Sequence, residues 1–369
     1  MKKIALALGA ALFVQSQLAS AEMLDCAMRD APFSTKSPYI DILLNDEANA
    51  IANEYVGDTT KRFPPNFLRT ETPSFAAIIN LENLFDMTQG DKSKLPELNA
   101  KLAKLSVTDE DRVKRCARYD AEAPELDIVE GKTNILVFDK INGYDHGPSV
   151  TAANSAVSAL AEQLGWNVVI TGNGASFNPE TLAQFDLVVW NNNSGDVLTL
   201  TQRAAFEDYI NNGGGFLGMH GAGGDSMYTW DFYRDKLIGE QFIAHPGGEL
   251  HFQFADVMVE PAKNKVAAEL APGWNMKDEW YSFSASARTH GVDVVLALDE
   301  DTYQPVGYGN RDLSMGDHPI AWSQCIGNGR SFYTAIGHRP EVYYVPQNLI
   351  FLKQAMQWAA GQGEQSCAK

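Results

Sequence analysis

The sequence has no apolar run of the roughly 18 residues that a bilayer-spanning helix needs, which argues against a helical membrane protein. It also lacks an excess of positive charge. Its 29 Lys and Arg stand against 47 Asp and Glu, a formal charge of -18 that repels phosphate backbones and anionic lipid, so nucleic acid is excluded as a natural partner. Cysteine is scarce, with four residues and no CxxC spacing, which removes zinc-finger and thioredoxin-like readings. The seven histidines form no HxH or HxxxH pair, so no local metal motif stands out. Internal repeats and low-complexity tracts are absent as well.

What is present begins with an export signature. Lys2 and Lys3 precede the apolar stretch from Ile4 to Val14, and Ala19-Ser20-Ala21 is a small-residue cleavage site, so residues 1–21 read as a signal peptide cleaved after Ala21. Cleavage removes two lysines and moves the charge from -18 to -20. A periplasmic or secreted protein is expected, and its even number of cysteines then favours disulfides. Four cysteines allow three pairings; Cys26 with Cys116 and Cys325 with Cys367 are favoured, because each would tie a terminal segment to the body beside it.

Residues 22–120 read as a helical extension. Ile40, Leu43, Leu44 and Ile51 recur at helical spacing, as do Phe75, Ile78, Ile79, Leu81 and Leu84, then Leu98, Leu102 and Leu105. An acidic segment, 121–132, reads as a linker. Residues 133–361 alternate short apolar runs with helical stretches, the pattern of an α/β, doubly wound, mainly parallel sheet. Strands are expected at 134–139, 167–171, 186–190 and 215–220, with helices at 149–164 and from 201. Further strands, some antiparallel, are expected at 251–259, 292–298, 319–325 and 330–336, and a closing helix at 342–360. Residues 362–369 form a tail.

In such a sheet, ligands bind beyond the carboxyl ends of the strands. Applied here, that rule gathers Tyr144-Asp145-His146 after the first strand, Asn191, Asn192, Asn193 and Asp196 after the third, His220 after the fourth, and Gly337-His338-Arg339 after the last. His318, preceded by Asp317, enters from another direction. Asp278 and Glu279 add carboxylates beside Trp280 and Tyr281, a combination suited to a sugar ring, whose C–H face packs on aromatics while its hydroxyls bond to acids. Adjacent strand residues face opposite ways, so Asp278 and Glu279 are not expected to act as a glycosidase pair. Gly213-Gly214-Gly215 precedes a strand and lacks a following Lys-Ser/Thr, which excludes a nucleotide loop.

The succession DHG, NNNSGDVLT, FEDYINNGGGFLGMHGA, AHPGGE, DEWYSF, GDHPIAW and GRSFYTAIGH resembles the ThuA-like, trehalose-utilisation family from about Thr133 to Gly361. The resemblance implies a flavodoxin-like sheet related to class I glutamine amidotransferases, and a place in sugar catabolism. In those amidotransferases a cysteine nucleophile occupies a tight strand-to-helix turn. Here Gly218-Met219-His220-Gly221-Ala222 puts His220 in that slot, so glutaminase chemistry by that route is excluded. The family pattern brings His146, His220, His245, His318 and His338 to one pocket, and leaves His251 and His290 as structural or surface residues. Two departures stand out: Asp145 where a basic residue is frequent, and the glycine-rich HGAGGDS.

The resemblance, together with the export signature and this pocket, implies an enzyme of carbohydrate catabolism that cleaves or modifies a glycoside or keto-glycoside. His220, His338, Glu279, Asp278 and His318 are its candidate catalytic groups. Substrate would be held by His146, Asn191, Asn193, His245, Trp280, Tyr281 and Asp317. A divalent metal such as zinc among His146, His220, His245 and His338 is a variant of the same reading. The alternatives are a non-catalytic sugar-binding or scaffold protein, and a hydrolase or amidase acting on a non-sugar substrate. The expected partner is a small carbohydrate; the sequence leaves the oligomeric state open.

Overall fold

The computed structural model describes residues 23–369 except 58–60, 62, 65–66, 262–264, 363–366 and 368–369. The expected signal peptide and most of the tail lie outside the described residues. Among those described, no helix is long and apolar enough to cross a membrane. Both favoured disulfides form, Cys26–Cys116 and Cys325–Cys367, with Cα separations of 5.5 and 5.4 Å, and no cysteine is left free.

A nine-stranded sheet organises the chain. Its strands are β1 (Asn134–Phe138), β2 (Asn167–Thr171), β3 (Leu187–Asn191), β4 (Gly215–Met219), β6 (Gln253–Val259), β7 (Gly273–Asp278), β9 (Asp293–Asp299), β10 (Pro319–Ile326) and β11 (Gly329–Thr334). They lie in the order β2-β1-β3-β4-β11-β10-β9-β6-β7. The first five run parallel, an arrangement that repeats the flavodoxin-like strand order, and the remaining pairings are antiparallel. β5 (Phe242–Ala244) and β8 (Ser282–Phe283) make a separate two-stranded ribbon.

Parallel strands buried on both faces require continuous apolar sequence, and β1, β3 and β4 are buried at every position. The covering helices are α6 (Pro148–Leu164), α7 (Pro179–Leu182), α8 (Leu200–Asn211) and α9 (Pro346–Ala359). Ala153, Val157 and Leu160 of α6 and Phe351, Leu352 and Ala355 of α9 are buried in the same core as the strands. Each fully buried aliphatic side chain there contributes about 1.5–3 kcal/mol of transfer free energy.

The helical expectation for the N-terminal part holds. α1 (Tyr39–Leu43), α2 (Asp46–Val56), α3 (Leu81–Thr88) and α4 (Leu95–Leu102) enclose a core of their own, including Ile40, Ile42, Leu81, Leu84, Leu98 and Leu102, while α5 (Asp109–Cys116) buries Cys116 in a smaller cluster with Cys26 and Tyr119. Reciprocal capping boxes at Asn80 and Thr108 start α3 and α5. Residues 121–132 carry no helix or strand, and they are held along β2 by Asn167 Nδ2 donating to the Asp127 carbonyl. The helical part also supports the loop after β1: Ser74 N donates to the Asn142 carbonyl, and Tyr144 packs against the helical core.

The expected strand at 251–259 begins two residues later, at Gln253, and β7 was not anticipated. Gly273, Asn275 and Asp278 have low strand propensity, and the alternation of Trp274 and Met276 with polar residues is short, as suits an edge strand.

Candidate functional site

Glu279 follows the last residue of β7 and is almost completely buried. Its carboxylate is surrounded by imidazoles. His338 Nδ1 lies 2.9 Å from Oε2 and His220 Nε2 lies 3.2 Å from the same oxygen. His251 Nε2 contacts Oε1, and His245 Nδ1 is 3.4 Å from Oε1. His146 completes the group, its ring centroid 4.9 Å from that of His220 and 4.8 Å from that of His338.

The sheet places these groups. His146 is carried by the loop after β1, His220 follows β4 directly, and His338 stands shortly after β11, all at carboxyl ends of parallel strands. His220 adopts φ +43, a backbone state that non-glycine residues rarely hold and that is retained where surrounding structure enforces it. Two glycines allow the crowding. A Cβ on Gly221 would come within 2.8 Å of the His146 ring. One on Gly337, at φ +150, would come within 2.8 Å of the His220 Cβ.

His220 is fully buried, and its Nδ1 lies 2.6 Å from the Ala335 carbonyl oxygen. An N–H donated there leaves Nε2 as the ring nitrogen turned toward Glu279. That Nε2 faces a carboxylate oxygen and has no well-aligned hydrogen bond, and His146 Nδ1 is likewise buried without a partner. Burial, reinforced by His220 and His338, pushes the His146 pKa well below its ordinary value, so its ring is neutral. Burial lowers His245 too, against the opposing pull of Glu279. For Glu279, burial opposes ionisation, but contacts from His220, His251 and His338 outweigh it and hold the carboxyl well below the usual range. For His338, burial disfavours the cation and the Glu279 contact overrides it, leaving its pKa raised.

The neutral His146 ring and the His220 Nε2, both buried without a well-aligned hydrogen bond beside an ionised carboxylate, are groups that a positive charge among them would satisfy. The ligand atoms of His146, His220, His338 and Glu279 lie within 4.8 Å of one another, and so do those of His245, His251 and Glu279. Imidazoles plus a carboxylate, with one His220 nitrogen fixed by a backbone carbonyl, are the donor set that zinc-class ions take.

Asp278 does a different job from its neighbour. Its Oδ2 accepts from Gly337 N at 2.7 Å and its Oδ1 from Arg339 N at 2.9 Å, so it fixes the loop bearing His338. Burial raises its pKa, opposed by His220 and these backbone donors. The sequence-based expectation that Asp278 and Glu279 diverge agrees with this geometry.

Several other expected site residues lie elsewhere. His318 is buried away from Glu279, with Nε2 2.8 Å from the Tyr281 carbonyl and Nδ1 2.8 Å from Glu300 Oε1, so both nitrogens are engaged structurally. Asp317 pairs with Arg288. Trp280 is 1% exposed and donates its indole N–H to the Gln253 carbonyl, which leaves no face for a sugar. Asn191 donates to the Val150 carbonyl and Asn193 to the Lys140 carbonyl, both as loop braces. Tyr281 does reach the cluster, stacked on His220 with centroids 4.2 Å apart, but it is buried.

His251 corrects the reading in the other direction. Expected to be structural or at the surface, it touches Glu279 and stacks on His245 at 4.6 Å. The available signal was Gly247-Gly248 between the two histidines, a turn that folds the chain back so that both rings meet. His245 and His251 side chains are each 26% exposed, which marks the open side of the cluster. Around it stand Tyr144, Phe252 packed on His338, Arg339 over Phe252, and Tyr308, which is 69% exposed.

Comparison with known proteins follows the same outline. A ThuA-like protein of Bacteroides uniformis shares 24% identity at a TM-score of 0.54, covering 64% of this chain and 95% of that one. Another, from Parabacteroides merdae, shares 16% at a TM-score of 0.49, covering 63% and 92%. No curated protein matches. The family model described as trehalose utilisation matches residues 134–359, well over half of the chain and the whole of the sheet that carries the histidines. The chain belongs to this ThuA, trehalose-utilisation family.

Proposed function

We propose that this chain is an exported, metal-dependent enzyme of carbohydrate catabolism that cleaves a glycoside or keto-glycoside at the Glu279 centre. One observation carries the metal reading: the buried, partnerless Nε2 of His220 is aimed at Glu279 while its Nδ1 is committed to the Ala335 carbonyl. The sugar class rests on the family's description and on a rim of half-buried Tyr144, Phe252 and Arg339 with the exposed Tyr308. The two disulfides and the acidic surface support an exported, soluble address.

A bound divalent ion would polarise a sugar carbonyl or acidify a water molecule. The protein's own groups would do the rest. Glu279 and the imidazoles around it would fix the cation, and Asp278 would hold the 337–339 backbone in place. A thiol mechanism of the amidotransferase kind has no nucleophile, since all four cysteines are bonded in pairs.

The test is a screen of untagged protein against disaccharides and their keto forms, with and without a chelator, and with His220→Ala as control. Turnover that disappears on chelation and returns with zinc supports the reading. Full turnover in metal-free protein contradicts the metal, and no turnover of any sugar by folded protein contradicts the enzyme.

A further inference from the structure

We infer that the Glu279 centre is built for two cations, bridged by its carboxylate, with a closed inner position and an open outer one. This rests on the metal reading above and goes beyond it in number, arrangement and division of labour.

Among the described residues, Glu279 is the one residue common to both ligand groups. Its oxygens divide between them. Oε2 faces His220 and His338, with His146 beside both rings, while Oε1 faces His245 and His251. A single ion could not draw on all five imidazoles and both oxygens at tetrahedral zinc coordination, which accommodates four donors. Two ions on the two oxygens of one carboxylate stand about 3.5–4 Å apart, the spacing of two-metal hydrolytic sites.

The two positions are unequal. The inner group offers four donors, three imidazoles and a carboxylate oxygen; His146, His220 and Glu279 are buried, and the His338 side chain is 14% exposed. Four donors close a tetrahedron, the arrangement of a tightly held ion. The outer group offers three donors, and its histidines are 26% exposed beside Tyr308 and Phe252. Three donors leave a coordination position open to water or a sugar oxygen. Two divalent charges against one bridging carboxylate also favour an anionic oxygen at that position, such as hydroxide or a sugar alkoxide.

The decisive experiment is metal titration of untagged, chelator-stripped protein with zinc by calorimetry. Elemental analysis checks the stoichiometry, and cobalt substitution reports on coordination. Two equivalents are expected, the first tight and the second weaker. The first cobalt equivalent should give an intense visible band of tetrahedral cobalt, and the second should diminish the EPR signal through magnetic coupling across the carboxylate. His251→Ala, a partly exposed site whose fold is readily checked by circular dichroism, should retain one equivalent and lose the weaker one. His220→Ala should lose the tight one. A single equivalent in the wild type, unchanged in His251→Ala, overturns the two-cation arrangement while leaving a one-metal enzyme intact. Zero equivalents overturns both.

Discussion

The Nδ1 of His220 lies 2.6 Å from the carbonyl oxygen of Ala335, a contact that fixes which nitrogen of a fully buried ring turns toward Glu279. Orientation of this kind is what metal-ligating histidines obtain from their surroundings. His220→Ala removes the nitrogen that faces Oε2, whereas His220→Gln places an amide in the same space. Both should lower the affinity for the tight zinc ion at least 10-fold, and turnover should fall about 100-fold or more, read by calorimetry and steady-state kinetics on the same samples.

Asp278→Asn tests the neighbour that braces. The amide can accept from only one of the Gly337 and Arg339 N–H groups and leaves the other buried without its acceptor, at a cost of about 2 kcal/mol. Urea denaturation should show that loss. Because the His338 loop shifts, kcat should fall more than KM rises.

Trp280 and Tyr308 separate a buried aromatic from an accessible one. Trp280→Phe should cost about 1–2 kcal/mol through the lost indole hydrogen bond to Gln253 and lost volume, with KM unchanged. Tyr308→Ala should change stability by less than about 0.5 kcal/mol and raise KM several-fold, equivalent to roughly 1 kcal/mol of ring packing. Thermal melts paired with initial rates distinguish the two outcomes.

The acid limb of stability should report Glu300. Its carboxyl is lowered from 4.5 to about 2 by the hydrogen bond with His318, against some burial and with help from the Met315 and Gly316 amides. A depressed carboxyl stabilises the folded state above its unfolded pKa, and that contribution is lost as pH falls from about 4.5 toward 2. After solvent screening it amounts to about 1–2 kcal/mol. Glu300→Gln should flatten the decline in unfolding free energy across that window; an unaltered slope contradicts the assignment.

Each disulfide closes a long loop, with sequence separations of 90 for Cys26–Cys116 and 42 for Cys325–Cys367. Loop-closure entropy gives each about 4–5 kcal/mol of stabilisation. Replacing either pair by serine should lower the denaturation midpoint and leave the zinc content unchanged, since neither pair touches the histidine cluster.

The parallel half of the sheet was legible because its strands are short apolar runs separated by helical periods, and the same pattern located His146, His220 and His338 at strand ends. The antiparallel half was less legible. β7 is a polar edge strand with weak propensity, so the position of Glu279 at its end could be suspected but its contacts could not. His318 was expected at the site from the family pattern and Trp280 from its place beside two carboxylates, and their burial depends on Glu300, Tyr281 and Gln253, partners distant in sequence. His251 was hidden by reading the strand two residues too early. Side-chain direction at such positions is decided by tertiary contacts that no local period encodes.

Anomalous diffraction from crystals grown with zinc, recorded on both sides of the zinc edge, tests the central claim most directly. The account predicts a peak among His146, His220, His338 and Glu279, with a second beside His245 and His251 at higher zinc. Zinc-soaked crystals with no peak at Glu279, and with imidazole nitrogens hydrogen-bonded to ordered water in its place, would contradict it.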